Sequence, residues 1–375
     1  MPGGAVAQAL RARRLVVKIG SSLLADEEGL VREAWLDGLA SDLARLRARG
    51  QQVIVVTSGA IALGRRALGL ASRPRRLEKK QAAAAVGQIV LAHAYQECLG
   101  RHGMATGQVL VTLDDTEDRR RYLNARATLK TLLKEGVVPV VNENDTVATT
   151  EIRFGDNDRL SARVAVMATA ETLVLLSDID GLYTADPRRD PDARHLPVVD
   201  AITPEVEAMA GGAGSGVGTG GMASKLAAAA MATSAGCSVV LAKGLLDRPL
   251  AAAEAEGARA TLFPARLSAR RARKEWIAAS LGVSGALTVD RGALGALRGG
   301  SSLLPAGVTS VEGEFGRGDA VLVRAPDGAA VAKGLVNYDA ADARRLLGRR
   351  TDEIEAALGW RGRDELVHRD DLVLL

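Results

Sequence analysis

Short runs of β-branched and aliphatic residues alternate with longer stretches of helical periodicity along the first two thirds of the chain. This pattern predicts strands at residues 15–19, 53–57, 106–112, 137–141, 172–177 and 238–242. It predicts helices between them, near residues 31–49, 59–69, 79–101, 122–135, 158–168 and 222–235. Such alternation is typical of an α/β fold with a mostly parallel open sheet sandwiched by helices. In such a sheet, ligands bind beyond the carboxyl ends of the strands.

The pattern changes after residue 243, where the chain becomes rich in Ala, Glu and Arg. Beyond this stretch, short strands near 286–290, 308–312, 320–325 and 330–336 are separated by Gly, Pro and Asp turns. This pattern of short strands and turns predicts a small β-rich second domain. We therefore expect a first domain over residues 1–265, a linker over 266–283 and a second domain over 284–375.

Composition changes this picture little. The chain has 375 residues, 47% hydrophobic and 25% charged, as is ordinary for a soluble globular protein. Its 49 Lys and Arg against 45 Asp and Glu leave a formal net charge of +4, which does not require a nucleic-acid partner. Cys98 and Cys237 are too far apart in sequence and too few for a disulfide framework. With no apolar run of membrane-spanning length, we expect a cytoplasmic protein without a membrane partner.

Two turns rich in glycine and serine follow predicted strands in the first half of the chain. In the first, Lys18 is followed by Gly20 and Ser21, so an ammonium group and backbone amides surround one point, which suits bound phosphate. In the second, Ser58 and Gly59 precede a predicted helix, where a hydroxyl and free amides can bind a carboxylate. Each signal alone is weak, because an exposed lysine before a turn and a serine at a helix start are common structural features.

Two polar loops follow in the next part of the chain, Asn142-Glu143-Asn144-Asp145 and Gly155-Asp156-Asn157-Asp158. Disordered polar loops are the structural alternative. The functional interpretation is recognition of a free amino acid, since Asp145 supplies an anionic acceptor for an ammonium group. Asn157 can meet either polar end of such a ligand, and Asp158 is better placed to orient cationic side chains.

Two further segments suit a nucleotide. Ser177 and Asp178 come at the end of a predicted strand, where they could contact the base or the ribose. A glycine run over residues 216–221 leads into a helix that carries Lys225 in its first turns, so amides, helix dipole and ammonium can converge on a polyphosphate. Its glycine and lysine spacing is not that of a Walker motif, and alone it could equally be a mobile loop.

Taken in this order, these segments resemble the amino-acid kinase family over residues 14 to about 243. Ser21 and Ser177 stand where Thr is frequent in that family, and both keep the hydroxyl. The tail from Gly299 through Asp319 resembles a PUA module, a small β-rich fold best known from RNA-modifying enzymes. The implied architecture is an amino-acid kinase fold followed by a PUA domain. Fold similarity alone does not imply RNA binding, and because conspicuous stacking aromatics are lacking we do not expect it.

The resemblance implies ATP-dependent phosphorylation of the side-chain carboxylate of L-glutamate, the first step of proline biosynthesis. It assigns catalysis to Lys18, Asp158 and Lys225. It assigns glutamate binding to Ser58, Gly59, Asn142, Asp145 and Asn157. It assigns ATP binding to Lys18, Gly20, Ser21, Ser177, Asp178, Thr219, Gly220, Gly221, Met222, Ala223, Ser224 and Lys225. Mg²⁺ is expected on the ATP phosphates, with no protein ligand assigned.

The resemblance also implies a homo-oligomer, a dimer or a tetramer, that is inhibited by proline. A separate glutamyl phosphate reductase is the expected partner.

The chemistry explains why cations are needed. A carboxylate is already ionised at neutral pH and needs no general base, so the difficulty is bringing two anions together. Two alternatives stay open. One is a sister kinase acting on acetylglutamate, aspartate or a nucleotide monophosphate, although Asp145 argues against acetylglutamate, whose amine is blocked. The other is an RNA-binding protein with an inactive kinase domain, against which the intact Lys18, Asp158 and Lys225 count.

Overall fold

The structure is a computed structural model that describes residues 2–70, 74, 76–148, 156–210, 221–280 and 282–375. The chain forms two compact units, residues 1–269 and 270–375. The domain and linker limits expected from the sequence stay a prediction.

The elements of the first unit alternate between helices and strands. Its described helices are α1 (Pro2–Ala9), α2 (Ser21–Leu24), α3 (Glu33–Ala48), α4 (Ala60–Ala67), α5 (Leu77–Arg101), α6 (Leu113–Glu117), α7 (Arg119–Lys134), α8 (Asp156–Ala168), α9 (Pro204–Met209), α10 (Met222–Ser234) and α11 (Pro249–Glu254). Its described strands are β1 (Arg14–Ile19), β2 (Gln52–Val56), β3 (Thr106–Val111), β4 (Val138–Glu143), β5 (Thr172–Ser177), β6 (Leu182–Tyr183), β7 (His195–Leu196), β8 (Ser238–Lys243) and β9 (Ala260–Phe263).

The main sheet of this unit has the strand order β3-β4-β2-β1-β5-β8-β9. Neighbouring strands pair in parallel, except that β9 runs antiparallel to β8. In the register, Lys18 is level with Val56 on one side and with Leu175 on the other. Because parallel strands end at the same edge, the polar loops after β1, β2, β4, β5 and β8 meet there. The predicted α/β sheet is confirmed.

Apolar residues cover both faces of this sheet. On one face, alternate residues of β1 such as Val17 and Ile19 pack in a core cluster with α1, α3 and α5. On the other face, Val16 packs in a cluster with residues of α7, α8 and α10. Lys18 is two positions after Val16 on the same strand, and side chains two positions apart point to the same face of a sheet. The Lys18 side chain is therefore directed toward the face that carries α8 and α10.

The second unit is the predicted small β-rich domain. Its described helices are α12 (Ala269–Ser280), which begins one residue before the unit, α13 (Arg291–Arg298), α14 (Ala340–Arg345) and α15 (Ile354–Leu358), with short 3-10 turns at Pro305–Gly307 and Thr351–Glu353. Its strands are β10 (Gly285–Val289), β11 (Val308–Gly313), β12 (Ala320–Arg324), β13 (Ala330–Val336) and β14 (Val367–Leu374). They form a separate sheet in the order β11-β10-β12-β13-β14, with a core of its own.

Some elements were not predicted from the sequence. They include α1, β9 and β14, together with α12, which lies inside the stretch expected to link the domains. In α12, Ile277 is buried with Ala320 and Leu335 of the second unit, and Arg273 lies 2.7 Å from Asp371 on β14. This helix is therefore packed on the second unit. Among the described helices, none is both long and apolar enough to span a membrane.

Candidate active site

A buried carboxylate between two ammonium groups lies at the carboxyl edge of the main sheet. The Oδ1 atom of Asp158 is 2.5 Å from Nζ of Lys18, and its Oδ2 atom is 3.2 Å from Nζ of Lys225. The hydroxyl of Ser224 donates to the same Oδ2 at 2.7 Å. Asp158 is fully buried, and both lysines are less than a tenth exposed. The structure thus brings the three predicted catalytic residues into one cluster.

Three separate elements supply these side chains. Lys18 belongs to β1 and points toward α8 and α10 because side chains alternate along a strand. Asp158 lies in the first turn of α8. Gly221 precedes α10, so Ser224 and Lys225 fall in the first turn of that helix. The cluster is therefore built from three segments that lie more than sixty positions apart in the sequence and that the folded chain brings together.

Within the cluster, the charges of the neighbouring side chains and the effect of burial shift the pKa values of Lys18 and Asp158. Burial lowers the pKa of the Lys18 ammonium, the Asp158 carboxylate opposes this, and the Lys225 ammonium adds to it. Burial alone would raise the pKa of Asp158, but the Lys18 and Lys225 ammonium groups, with hydrogen bonds from Lys18 and Ser224, hold it below its usual range. Two cations thus share one anion, which leaves an excess of positive charge in a site with little solvent.

The loop after β1 runs beside the Lys18 ammonium. A Cβ atom placed on Gly20 would lie 3.9 Å from Nζ of Lys18, so the backbone there is close to the cation. Gly59, the residue immediately before α4, has a φ of +116°, in the left-handed region that glycine favours. A Cβ atom on Gly59 would lie 3.9 Å from Cα of Ser21. The two glycine and serine turns predicted from the sequence are therefore in contact.

The amide-rich loops meet next to these turns. Nδ2 of Asn157 donates to the backbone oxygen of Thr57 at 3.2 Å and to Oδ1 of Asn142 at 3.3 Å. The hydroxyl of Ser58 donates to the backbone oxygen of Ile19 at 3.1 Å. Ser58, Asn142 and Asn157 are thus gathered at the ends of β1, β2 and β4. Asp145 follows β4 by two residues and is half-buried.

The predicted nucleotide residues lie on the other side of β1. Ser177 ends β5, the strand next to β1, and its hydroxyl donates to Oδ1 of Asp178 at 3.0 Å. Asp178 itself is exposed. Met222 packs partly buried against the core on the α8 and α10 side, and Ala223 is exposed. Thr219 and Gly220 lie outside the described residues, as does Gly155.

Two residues of this site were not found from the sequence. Gln88, in the middle of α5, accepts a hydrogen bond from Nδ2 of Asn142 at 2.8 Å. The backbone oxygen of Thr57 holds Asn157, and the hydroxyl of fully buried Tyr95 donates to Oγ1 of Thr57 at 2.9 Å. Gln88 and Tyr95 are both on α5, and no local pattern in the sequence reveals which face of that helix reaches the sheet edge.

The cluster and the fold define a class of protein. The model of the amino acid kinase family matches residues 13–243, and the model of the PUA domain matches residues 285–358. The chain belongs to the amino acid kinase family.

Within this class, several similar curated proteins are named glutamate 5-kinase. A protein named glutamate 5-kinase from Paramagnetospirillum magneticum is 60% identical over 364 residues, covering 97% of this chain and 98% of its own. Another from Paracoccus denitrificans is 59% identical with the same two coverages. A third, from Rhizobium rhizogenes, is 57% identical and covers 97% of this chain and 93% of its own.

Proposed function

We propose that this chain transfers the terminal phosphoryl group of ATP to the side-chain carboxylate of L-glutamate. The products are L-glutamyl 5-phosphate and ADP, and the reaction is the first step of proline biosynthesis. The observation that carries the proposal is the placement of Asp158 between the Lys18 and Lys225 ammonium groups. The full-length similarity to proteins named glutamate 5-kinase supports glutamate as the acceptor.

The physical task is to bring two anions together. The glutamate side chain is ionised at neutral pH, so it attacks phosphorus without a general base. Negative charge then builds on the transferred group and on the leaving ADP. Lys18 and Lys225 stabilise that charge, and Asp158 holds the two ammonium groups close together although they repel each other. Burial strengthens these interactions because little water screens them.

The substrates occupy opposite sides of Lys18. Glutamate is bound at the ends of β2 and β4 by Ser58, Gly59, Asn142, Asp145 and Asn157. ATP is bound at the ends of β1 and β5 and at the start of α10 by Lys18, Gly20, Ser21, Ser177, Asp178 and residues 219–225. The Ser58–Ile19 and Asn157–Thr57 hydrogen bonds support this division, since they tie the glutamate side to the strands next to Lys18.

Mg²⁺ enters this scheme as part of the nucleotide. In the part of the chain that is described, no group of three or more His, Cys, Asp or Glu side chains is arranged to hold a metal ion. Both carboxylate oxygens of Asp158 face ammonium groups. We place the ion on the ATP phosphates, where it would neutralise phosphate charge.

Further properties follow from the family resemblance and belong to the same proposal. The protein works in the cytoplasm as a homo-oligomer, proline competes with glutamate, and a separate reductase consumes the acyl phosphate. The sensitivity to proline is tested by repeating the glutamate titration in its presence.

A substrate panel tests the choice of acceptor. Purified protein with ATP and Mg²⁺ is offered glutamate, aspartate, N-acetylglutamate or UMP, and ADP release is measured together with trapping of acyl phosphate by hydroxylamine. We expect hydroxamate and ADP with glutamate alone. Preferential turnover of another acceptor would assign the chain to a different kinase of the family, and no turnover with any acceptor would reject the kinase activity.

A further inference from the structure

Three amide side chains form a relay that ends on a backbone carbonyl. Gln88 on α5 contacts Asn142 at the end of β4, Asn142 contacts Asn157 on α8, and Asn157 contacts the backbone oxygen of Thr57 after β2. The three distances are 2.8, 3.3 and 3.2 Å. The relay therefore connects α5, which contributes no other residue to the substrate contacts assigned above, with two of the residues assigned to glutamate.

The backbone oxygen of Thr57, at the end of the relay, determines the direction of every hydrogen bond in it. A backbone carbonyl only accepts, so the atom of Asn157 that faces Thr57 is its amide nitrogen. The same nitrogen faces Asn142, which must therefore present its oxygen. The nitrogen of Asn142 is then directed at Gln88, which must present Oε1. Geometry alone thus fixes three amide orientations that would otherwise be ambiguous.

The hydrogen bonds of the relay determine which polar atom of Asn157 is available to a ligand. Its amide group has two protons, and both are used, one toward Thr57 and one toward Asn142. Its remaining polar atom, Oδ1, is buried and has no hydrogen-bond partner among the described residues. Asn157 can therefore offer a ligand an acceptor only, which suits the α-ammonium group of an amino acid and disfavours its carboxylates.

We propose that Gln88 is a positioning residue that holds Asn142, and through it Asn157, in the orientation that the Thr57 carbonyl dictates, so that Asn157 presents its carbonyl oxygen to the substrate ammonium. This inference rests on the proposed function, because it assumes that Asn157 contacts glutamate. Gln88 does not touch the substrate in this scheme. The orientation of Asn157 explains why a phosphate acceptor with a free amine is selected. Asp145 adds a negative charge that attracts the same ammonium group.

The position of Gln88 depends on an unusually close helix crossing. A Cβ atom on the neighbouring Gly87 would lie 1.8 Å from the backbone oxygen of Ala60, at the start of α4. A Cβ atom on Gly64 would lie 1.7 Å from the backbone oxygen of Ala83. The two glycines therefore let α5 approach α4 closely enough to bring an amide side chain to the end of β4.

Two substitutions of Gln88 distinguish the effect of its acceptor oxygen from the effect of its side-chain size. Gln88→Met keeps the length of the side chain and removes the acceptor, so the amide nitrogen of Asn142 loses its partner. We expect the glutamate KM to rise about tenfold, equivalent to about 1.4 kcal/mol, with an unchanged ATP KM. Gln88→Glu keeps an acceptor oxygen, so we expect a glutamate KM within about threefold of wild type. Ile89→Gln, at the next position of α5, which is 74% exposed, is the matched control with no expected effect.

A second measurement distinguishes a change in the orientation of Asn157 from general damage to the binding site. Glutarate has the same carboxylates but no ammonium group, so we measure it as a competitive inhibitor against glutamate. We expect its inhibition constant to stay within about twofold in Gln88→Met while the glutamate KM rises. Thermal melting of each variant establishes that it is folded.

The possible failures are separable. A wild-type protein that does not phosphorylate glutamate would refute the proposed function. Normal wild-type turnover with an unchanged glutamate KM in Gln88→Met would overturn the role of Gln88 alone. An equal weakening of glutamate and glutarate, or a Gln88→Glu variant as impaired as Gln88→Met, would also overturn it.

Discussion

Asp158 is surrounded by the charges that it organises. Without its carboxylate, the Lys18 and Lys225 ammonium groups would repel each other in a site where little water screens them. Its depressed pKa keeps it ionised, and its charge raises the pKa of Lys18 against the effect of burial. At the scale of single residues, the proposed activity therefore depends on one anion that holds two ammonium groups close together.

Replacing this anion changes the pH dependence of the rate. Lys18 acts only while protonated, and its pKa is already lowered, so turnover falls on the alkaline side at a lower pH than for an exposed lysine. In Asp158→Asn the opposing contribution of the carboxylate is gone. We expect a much lower kcat and an alkaline limb that moves to still lower pH. Measurement of kcat against pH in both proteins tests this, and an alkaline limb at the same pH would contradict it.

Lys225 serves mainly the transition state. Lys225→Ala should lower kcat by about 10² to 10³ with little change in the KM values, because a cation that meets developing charge affects rate more than binding. Steady-state titrations of ATP and glutamate provide the measurement. A variant with near-normal turnover would remove Lys225 from the mechanism.

Asp145 is expected to act on binding. Asp145→Ala removes the anionic acceptor assigned to the glutamate ammonium, so the glutamate KM should rise while the ATP KM stays constant. Steady-state titrations of ATP and of glutamate test this expectation. If ATP saturation shifts and glutamate saturation does not, the division of the site between the two substrates is wrong.

At the scale of elements, the crossing of α4 and α5 positions one wall of the glutamate side. Gly87→Ala would place a methyl group against the backbone of Ala60, so we expect a loss of about 1 to 3 kcal/mol in the free energy of unfolding and a raised glutamate KM. The control is Gly100→Ala, near the end of the same helix, where nothing lies within 4 Å of the added Cβ atom. That substitution should be neutral or stabilising. Equal melting temperatures for the two variants would contradict the packing argument.

Local patterns predicted most of the first unit and its motifs. Four of the site residues lie within two positions of the carboxyl end of a buried strand: Lys18, Ser58, Asn142 and Ser177. A parallel sheet necessarily brings such positions to one edge. Gln88 could not be predicted in this way. Its role depends on how deeply two helices approach each other, which the spacing of Gly64 and Gly87 indicates only once their partners are known.

The same reasoning explains the elements that were missed. The first ten residues of α12 mix Arg, Lys and Glu with Ala, Trp and Ile, a pattern typical of a polar connection. Only the structure reveals that Ile277 is buried. The strand β14 carries the charged run His368-Arg369-Asp370-Asp371, which breaks the apolar alternation. Both elements are stabilised by contacts with distant parts of the second unit, and no local signal reports these contacts.

At the scale of the whole molecule, each unit has its own sheet and its own core. In the second unit, the nearly buried Arg273 and Asp371 side chains pair at 2.7 Å and join α12 to β14. Arg273→Met should leave the Asp371 carboxylate buried without this partner and lower the free energy of unfolding of that unit by about 3 kcal/mol. Hydrogen exchange of β14 measures this loss. We expect the glutamate KM to stay unchanged, and a shift in KM without faster exchange would contradict the assignment.

The most direct test of the central claim is the stoichiometry of products formed from glutamate, ATP and Mg²⁺. Lys225→Ala serves as the blank, and ADP and trapped γ-glutamyl hydroxamate are quantified in the same reaction. The account predicts that the two products appear one to one, only with glutamate present, and that both nearly disappear in the variant. Release of ADP that does not depend on glutamate, or hydroxamate formation that survives in Lys225→Ala, would contradict it.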